Sequence, residues 1–177
     1  MKKATWMRRR TSLFLLVGAI VGVALSFTTY KVSESTAGAD FCGSCHTMKP
    51  FVSTFHIHVH GGDNEFGYEA KCNDCHLPHD GLAHYLLVKA KASANDMWVE
   101  TFHNTATIDW PQKLKDGQRF VYDSGCLECH GHLREKTLSN PRAFLPHRIY
   151  FSGTTTKTCA DCHSNVGHKH LAEYIQK

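Results

Sequence analysis

The sequence predicts a mainly α protein, with one N-terminal transmembrane helix followed by a compact domain of short helices and loops. Three observations lead there. Cys-x-x-Cys-His occurs four times, at Cys42–His46, Cys72–His76, Cys126–His130 and Cys159–His163, and these motifs use all 8 cysteines of the 177-residue chain. A run of twenty residues without a charge, Thr11 to Tyr30, follows a basic cluster. Beyond that run, few segments carry the apolar periodicity that a side-chain core of their own would need.

The four motifs read as c-type haem attachment sites. In each, two cysteine sulfurs form thioethers with a porphyrin and the adjacent histidine can reach the iron. Zinc sites or a disulfide framework are the bland alternatives. Neither requires a histidine directly after every second cysteine. Four haems in the 138 residues from Asp40 to Lys177 would themselves be the core of this domain.

Taken in order, residues 1–10 hold Lys2, Lys3, Arg8, Arg9 and Arg10. Residues 11–30 as a helix rise about 30 Å, enough for a bilayer core. Because the basic cluster precedes the span, the positive-inside rule puts residues 1–10 in the cytoplasm and residues 31–177 in the periplasm of a bacterial-type inner membrane. A cleaved signal peptide is the competing reading, with Ala37-Gly38-Ala39 as its cleavage site; the long apolar stretch and the distant site argue against it. The formal net charge of +4 drops to −1 once these five basic residues are set aside. That leaves no basic face for nucleic acid.

The motif starts are separated by 30, 54 and 33 residues, a pair–linker–pair spacing that reads as two dihaem units. After the first motif stands Met48, whose thioether is a legitimate iron ligand and raises the potential relative to histidine. On chemistry alone His46 is the better ligand, with Met48 packing on the ring. Of the histidines in Phe55-His56-Ile57-His58-Val59-His60, the one beside Gly61 and Gly62 is the best distal ligand, since glycine lets the backbone approach a ring edge. His56 and His58 read as surface residues, as does His132.

Leu82 to Trp98 reads as one helix. Its stripe of Leu82, Tyr85, Leu86, Lys89, Ala90, Ser93, Asp96 and Met97 follows helical spacing. Lys89 and Asp96 share a face that is otherwise apolar. They are either an ordinary snorkelling lysine with a hydrogen-bonded aspartate, or a polar pair in a cleft, able to hold an oxygen and accept a proton. His84 and His103 flank this helix as spare ligands. Asp109-Trp110-Pro111 marks a helix start. Later in the chain, His147 follows a proline-constrained segment and His168 follows Gly167. His60, His147 and His168 give three distal ligands for four haems, so one haem is expected to have unusual or open coordination.

At this point the chain resembles the NapC/NirT/NrfH family of membrane-anchored tetrahaem quinol dehydrogenases, over nearly its whole length. The resemblance rests on the anchor and on Phe41-Cys42-x-x-Cys45-His46-Thr47-Met48. It rests also on Cys-x-Asp-Cys-His-Leu-Pro-His at 72–79, on Thr107-Ile108-Asp109 with Pro111, and on Cys-x-Asp-Cys-His-x-x-x-Gly-His at 159–168. It implies that menaquinol or ubiquinol is oxidised at the first haem near the membrane surface, and that electrons pass to a periplasmic terminal reductase in anaerobic respiration. It implies further that Met48 ligates the first iron with His46 displaced. Cys42, Cys45, Cys72, Cys75, Cys126, Cys129, Cys159 and Cys162 would hold the haems. His76, His130 and His163 would be motif ligands, and His60, His147 and His168 distal ones. Asp96 and Lys89, with Lys91 as second choice, would serve the quinol. A relay subunit without a quinol site is the main alternative. A small-oxyanion reductase would need Arg, His or Tyr gathered around an open iron, and no such set can be assigned. The sequence leaves open whether copies associate as a homo-oligomer.

Overall fold

The computed structural model describes residues 2–175. Met1, Gln176, Lys177 and the side chains of residues 2–5, among them Lys2 and Lys3 of the basic cluster, lie outside the described residues.

Helix α1 (Lys2–Ser35) is continuous through the predicted span and extends it at both ends. Its segment Trp6–Ser35, 30 residues long, is apolar enough to cross a membrane. At 1.5 Å per residue it rises about 45 Å, longer than a hydrocarbon core. Three of its polar side chains are satisfied within the helix: Thr11, Ser12 and Thr28 donate to the carbonyls of Met7, Arg8 and Ala24. That is the arrangement a solvent without hydrogen-bonding capacity demands. Near its start, the Arg10 guanidinium lies over the Trp6 ring at 4.2 Å.

The rest is short helices. Helices α2 (Ala39–Cys42) and α3 (Lys49–His56) flank the first motif, whose His46–Met48 forms a 3-10 turn. Helix α4 (Cys72–His76) carries the second motif. The long helix α5 (Leu82–Phe102) follows and runs one turn beyond its predicted end. Helix α6 (Trp110–Lys115) begins where Asp109-Trp110-Pro111 predicts, with the Asp109 carboxylate accepting from the Gln112 amide at 3.0 Å as a helix N-cap. Helix α7 (Asp123–His130) bears the third motif, α8 (Leu133–Lys136) and α9 (Pro141–Phe151) follow, α10 (Cys159–Cys162) bears the fourth, and α11 (Leu171–Ile175) packs on α3. Among the described residues the β-pairing is a lone bridge between Gly61 and Glu69.

Side chains alone make a very small core. Ala39, Phe55 and Ala70 cluster with Val52 and Cys72, and Ala37, Thr54, Leu77 and Pro78 are buried nearby. Meanwhile Phe41, Phe66, Trp98, Phe102, Phe120, Leu138 and Leu145 are exposed on the polypeptide. Apolar area on this scale, left uncovered in a domain this small, calls for a further apolar body.

Candidate multihaem site

The helix carrying each motif is fixed by local chemistry. In α4 and α10 the Asp of Cys-x-Asp-Cys sits three residues past the cap and reaches back. Asp74 accepts from the Lys71 amide at 2.8 Å, and Asp161 from the Thr158 amide at 2.7 Å. These caps use amides that a four- or five-residue helix leaves unpaired, and in α10 the cap is reciprocal, the Asp161 amide donating to Thr158 Oγ1 at 3.3 Å. The bond from Thr158 holds the Asp161 carboxyl below its ordinary range. In α7 that motif position is Glu128, and an aspartate three residues before the first cysteine works between motifs instead. Asp123 accepts from the Cys159 amide at 2.9 Å through one oxygen and from the Tyr150 hydroxyl at 2.7 Å through the other.

The motifs are paired through their first cysteines. Cys72 lies beside Cys42, and Cys159 beside Cys126. As free thiols, Cys42 and Cys126 are each lowered to about 7, in both cases mainly by the neighbouring thiol. Motifs one with two and three with four therefore make equivalent contacts, as the 30- and 33-residue spacings predict. The two units join where α4 packs on α7. There the Tyr122 amide donates to the Cys75 carbonyl, and the His79 amide to Ser124 Oγ, both at 3.0 Å. Gly125 is required at this joint, because a Cβ would overlap the Asp74 carbonyl oxygen.

The histidines fall into pairs. Ring centroids are 6.1 Å apart for His76 and His168, 6.0 Å for His60 and His130, and 6.2 Å for His147 and His163. An iron between two imidazoles, with metal–nitrogen bonds of about 2 Å, separates the centroids by roughly 6 Å. Each pair joins one motif histidine to one histidine outside the motifs. The residues present therefore fit bis-imidazole haem on spacing alone.

Hydrogen bonding orients the rings as metal ligation requires. His76 Nδ1 lies 2.7 Å from the Phe120 carbonyl oxygen, and His168 Nδ1 lies 3.1 Å from that of Phe51. An Nδ1–H donated to a carbonyl leaves Nε2 with the free lone pair. Burial, reinforced by the neighbouring His76, brings His168 down to about 4, and burial lowers His76 as well. His168 is thus neutral at pH 7. Phe51 packs edge-on against His168 at 5.7 Å and on Trp110 at 5.3 Å. His60 is lowered by burial and then by His58 and His130. It stacks on His58 at 5.1 Å, and Gly61 behind it has no room for a Cβ against the Phe55 carbonyl. His58 is thus a packing partner of His60 rather than a plain surface residue. His147 Nδ1 is buried without a partner. His56, His84, His103 and His132 are exposed, and His84 pairs locally with Asp80 at 2.7 Å.

The first motif differs. His46 has no imidazole partner. Its ring is engaged by Glu100 and Thr105, with a side chain 68% exposed. Met48 follows in the 3-10 turn. Helix α5 lies beside this motif and against the end of α1. Lys89 Nζ donates to the carbonyls of Ser33 at 2.8 Å and Thr36 at 3.2 Å, so the ammonium sits at the C-terminal end of α1, where a cation is favoured. Tyr85 Oη is bonded by Asn73 Nδ2 at 2.6 Å. Asp96 is exposed, but its charge raises the Cys42 thiol while that of Lys89 lowers it. Both predicted residues therefore lie within electrostatic reach of the first motif. Sequence reasoning missed Glu100, Thr105 and Tyr122. A signal for Glu100 was available, since it lies four residues after Asp96 on the same stripe.

Comparison with known proteins shows the family to which this chain belongs. Residues 5–173 match the NapC/NirT cytochrome c family, N-terminal region. The tetraheme c-type cytochrome CymA of Shewanella oneidensis is 32% identical over 167 residues, covering 87% of this chain and 88% of CymA. The cytochrome c nitrite reductase subunit NrfH of Nitratidesulfovibrio vulgaris is 32% identical over 158 residues, covering 89% and 84%. Among solved structures, a chain of the cytochrome c nitrite reductase NrfHA complex bound to the HQNO inhibitor superposes with a TM-score of 0.53 at 29% identity, covering 88% of this chain and 90% of that one.

Proposed function

Because the chain belongs to the NapC/NirT family of c-type cytochromes, we propose that it is a membrane-anchored tetrahaem quinol dehydrogenase feeding a periplasmic terminal reductase. Haem c binding, electron transfer and a membrane-anchoring helix come with the family. The count of four haems, the quinol and the reductase are the proposal. So is the placement of residues 1–10 in the cytoplasm, residues 11–30 in the bilayer and residues 31–177 in the periplasm, which the basic N-terminus supports.

The observation that carries the reading is the position of Lys89 at the membrane-proximal end of α1, on the helix that also bears Asp96 and flanks the first motif. An ammonium has three donor hydrogens. Two are used on Ser33 and Thr36, and the third is available to a quinol ring oxygen. Asp96, two helical turns further along α5, is the base. Oxidation of a quinol to a quinone releases two electrons and two protons, and an exposed carboxylate can take each proton in turn and return it to water. Haem c, when bound, accepts and passes on one electron at a time. The eight cysteines hold the haems in the two abutting pairs. His76 with His168, His130 with His60, and His163 with His147 would hold three of the irons, and Met48 would hold the first. Either menaquinol or ubiquinol has the ring oxygens this site needs.

The exposure of Asp96 favours one alternative, a relay subunit supplied by another protein. Anaerobic stopped-flow reduction of the full-length protein by a menaquinol analogue separates the two. Quinol oxidation predicts rapid haem reduction in the wild type and a large rate loss in Asp96→Asn with unchanged haem spectra. A wild type that the quinol leaves oxidised contradicts the proposal and favours the relay.

A further inference from the structure

The three later motif histidines each face another imidazole, whereas both ring nitrogens of His46 are occupied elsewhere. Nδ1 is 2.5 Å from Glu100 Oε1, and Nε2 is 3.2 Å from Thr105 Oγ1. The second carboxylate oxygen of Glu100 accepts from Thr47 Oγ1 at 2.7 Å. Glu100 is the less exposed partner, with 19% of its side chain accessible against 68% for His46. An imidazole ligates a metal through the lone pair of one ring nitrogen. A histidine held at both nitrogens, with its ring turned to solvent, has none to offer.

We propose that Glu100, assisted by Thr105, is a positioning residue that holds His46 off the first haem and thereby leaves the iron to Met48. This rests on the reading of Met48 as that ligand. The clamp is one carboxylate gripping two successive residues of the turn, His46 by its ring and Thr47 by its hydroxyl. That fixes the turn with the histidine outward and the next side chain but one, Met48, free. Histidine is a strong ligand directly adjacent to the attachment cysteine, so a thioether two residues on can prevail only if the imidazole is restrained. Glu100 sits on α5, four residues from Asp96. One helix thus sets the ligand of the entry haem and also carries the groups proposed to handle quinol. Thioether ligation raises the haem potential relative to imidazole, which favours acceptance of electrons from quinol.

The test uses the full-length haem-loaded protein and reads ligation directly. Near-infrared magnetic circular dichroism detects a sulfur-to-iron charge-transfer band, and a potentiometric titration follows each haem. The wild type is expected to show the band. Glu100→Ala is expected to lose it, with a downward shift in the potential of that haem and no change in the others. Glu100→Asp is expected to restore it. Thr105→Val, which frees Nε2 while leaving the carboxylate in place, is expected to lose part of the band. It decides the matter if Glu100→Ala does not accumulate. A carboxylate that merely stiffened the turn would leave the band intact. An unchanged band in Glu100→Ala, or in Thr105→Val where it stands alone, overturns the role of Glu100 while leaving Met48 as ligand. A wild type without the band overturns the Met48 reading itself.

Discussion

Replacing Lys89 by Met removes the ammonium, which lies 5.9 Å from the Tyr85 ring centroid, while keeping most of the aliphatic stem. Two effects follow, and their sizes separate them. The bonds to the Ser33 and Thr36 carbonyls place a cation at a helix C-terminus, worth about 0.3–1 kcal/mol at a partly exposed site. Thermal stability therefore falls only slightly and the haem spectra are unchanged. The third hydrogen, directed to a quinol oxygen, is a charge-assisted bond worth about 1.5–3 kcal/mol. Its loss lowers kcat/KM for quinol by roughly 10- to 150-fold. The control is Lys91→Met, the same charge change two residues along α5 at an exposed position, for which kcat/KM should stay within about twofold, the scale of a surface substitution. The assay is steady-state and stopped-flow haem reduction by a soluble quinol analogue with both variants in detergent. Equal kcat/KM for Lys89→Met and wild type refutes the assignment. A loss confined to Lys91→Met transfers it to the other lysine.

Two further outcomes test the haem frame. His168→Met exchanges one imidazole of the His76 pair for a thioether, so EPR of the oxidised protein should lose one of its bis-imidazole signals and the potential of that haem should rise; an unchanged set of signals would mean that His168 is no ligand. Gly125→Ala forces a Cβ onto the Asp74 carbonyl at the joint of α4 and α7, an overpacking worth about 1–3 kcal/mol. The thermal midpoint should fall by roughly 3 to 10 °C, and a variant as stable as the wild type would show that the joint is looser than this packing implies.

Much of this arrangement is legible in the sequence because covalent chemistry writes it there. A thioether needs a cysteine, so the four motifs announce themselves at any level of structural ignorance, and their spacings already suggest two dihaem units. The membrane span is equally plain, since a bilayer tolerates no charge over about 20 residues. The pairing of distal histidines is different in kind. His60 and His168 both lie beside glycines, which marks them, but nothing local says that His168 meets His76 across the boundary of the two units while His147 stays with His163. That depends on α7 docking on α4 through Gly125, a long-range contact with no period to read. The Glu100 clamp is hidden for the same reason. A carboxylate on a helix stripe reads as a solvated charge until the turn at His46 is brought beside it. His58 shows the converse: it reads as a surface residue, yet it stacks on His60 because alternating residues in this segment fold into a turn rather than a strand.

The central claim is that this chain takes electrons from quinol, and an anaerobic titration of the full-length oxidised protein with menaquinol analogue tests it most directly. Quinol oxidation predicts that each quinol added reduces two haems until those of suitable potential are filled. A protein that dithionite reduces fully but the quinol leaves oxidised would contradict the account.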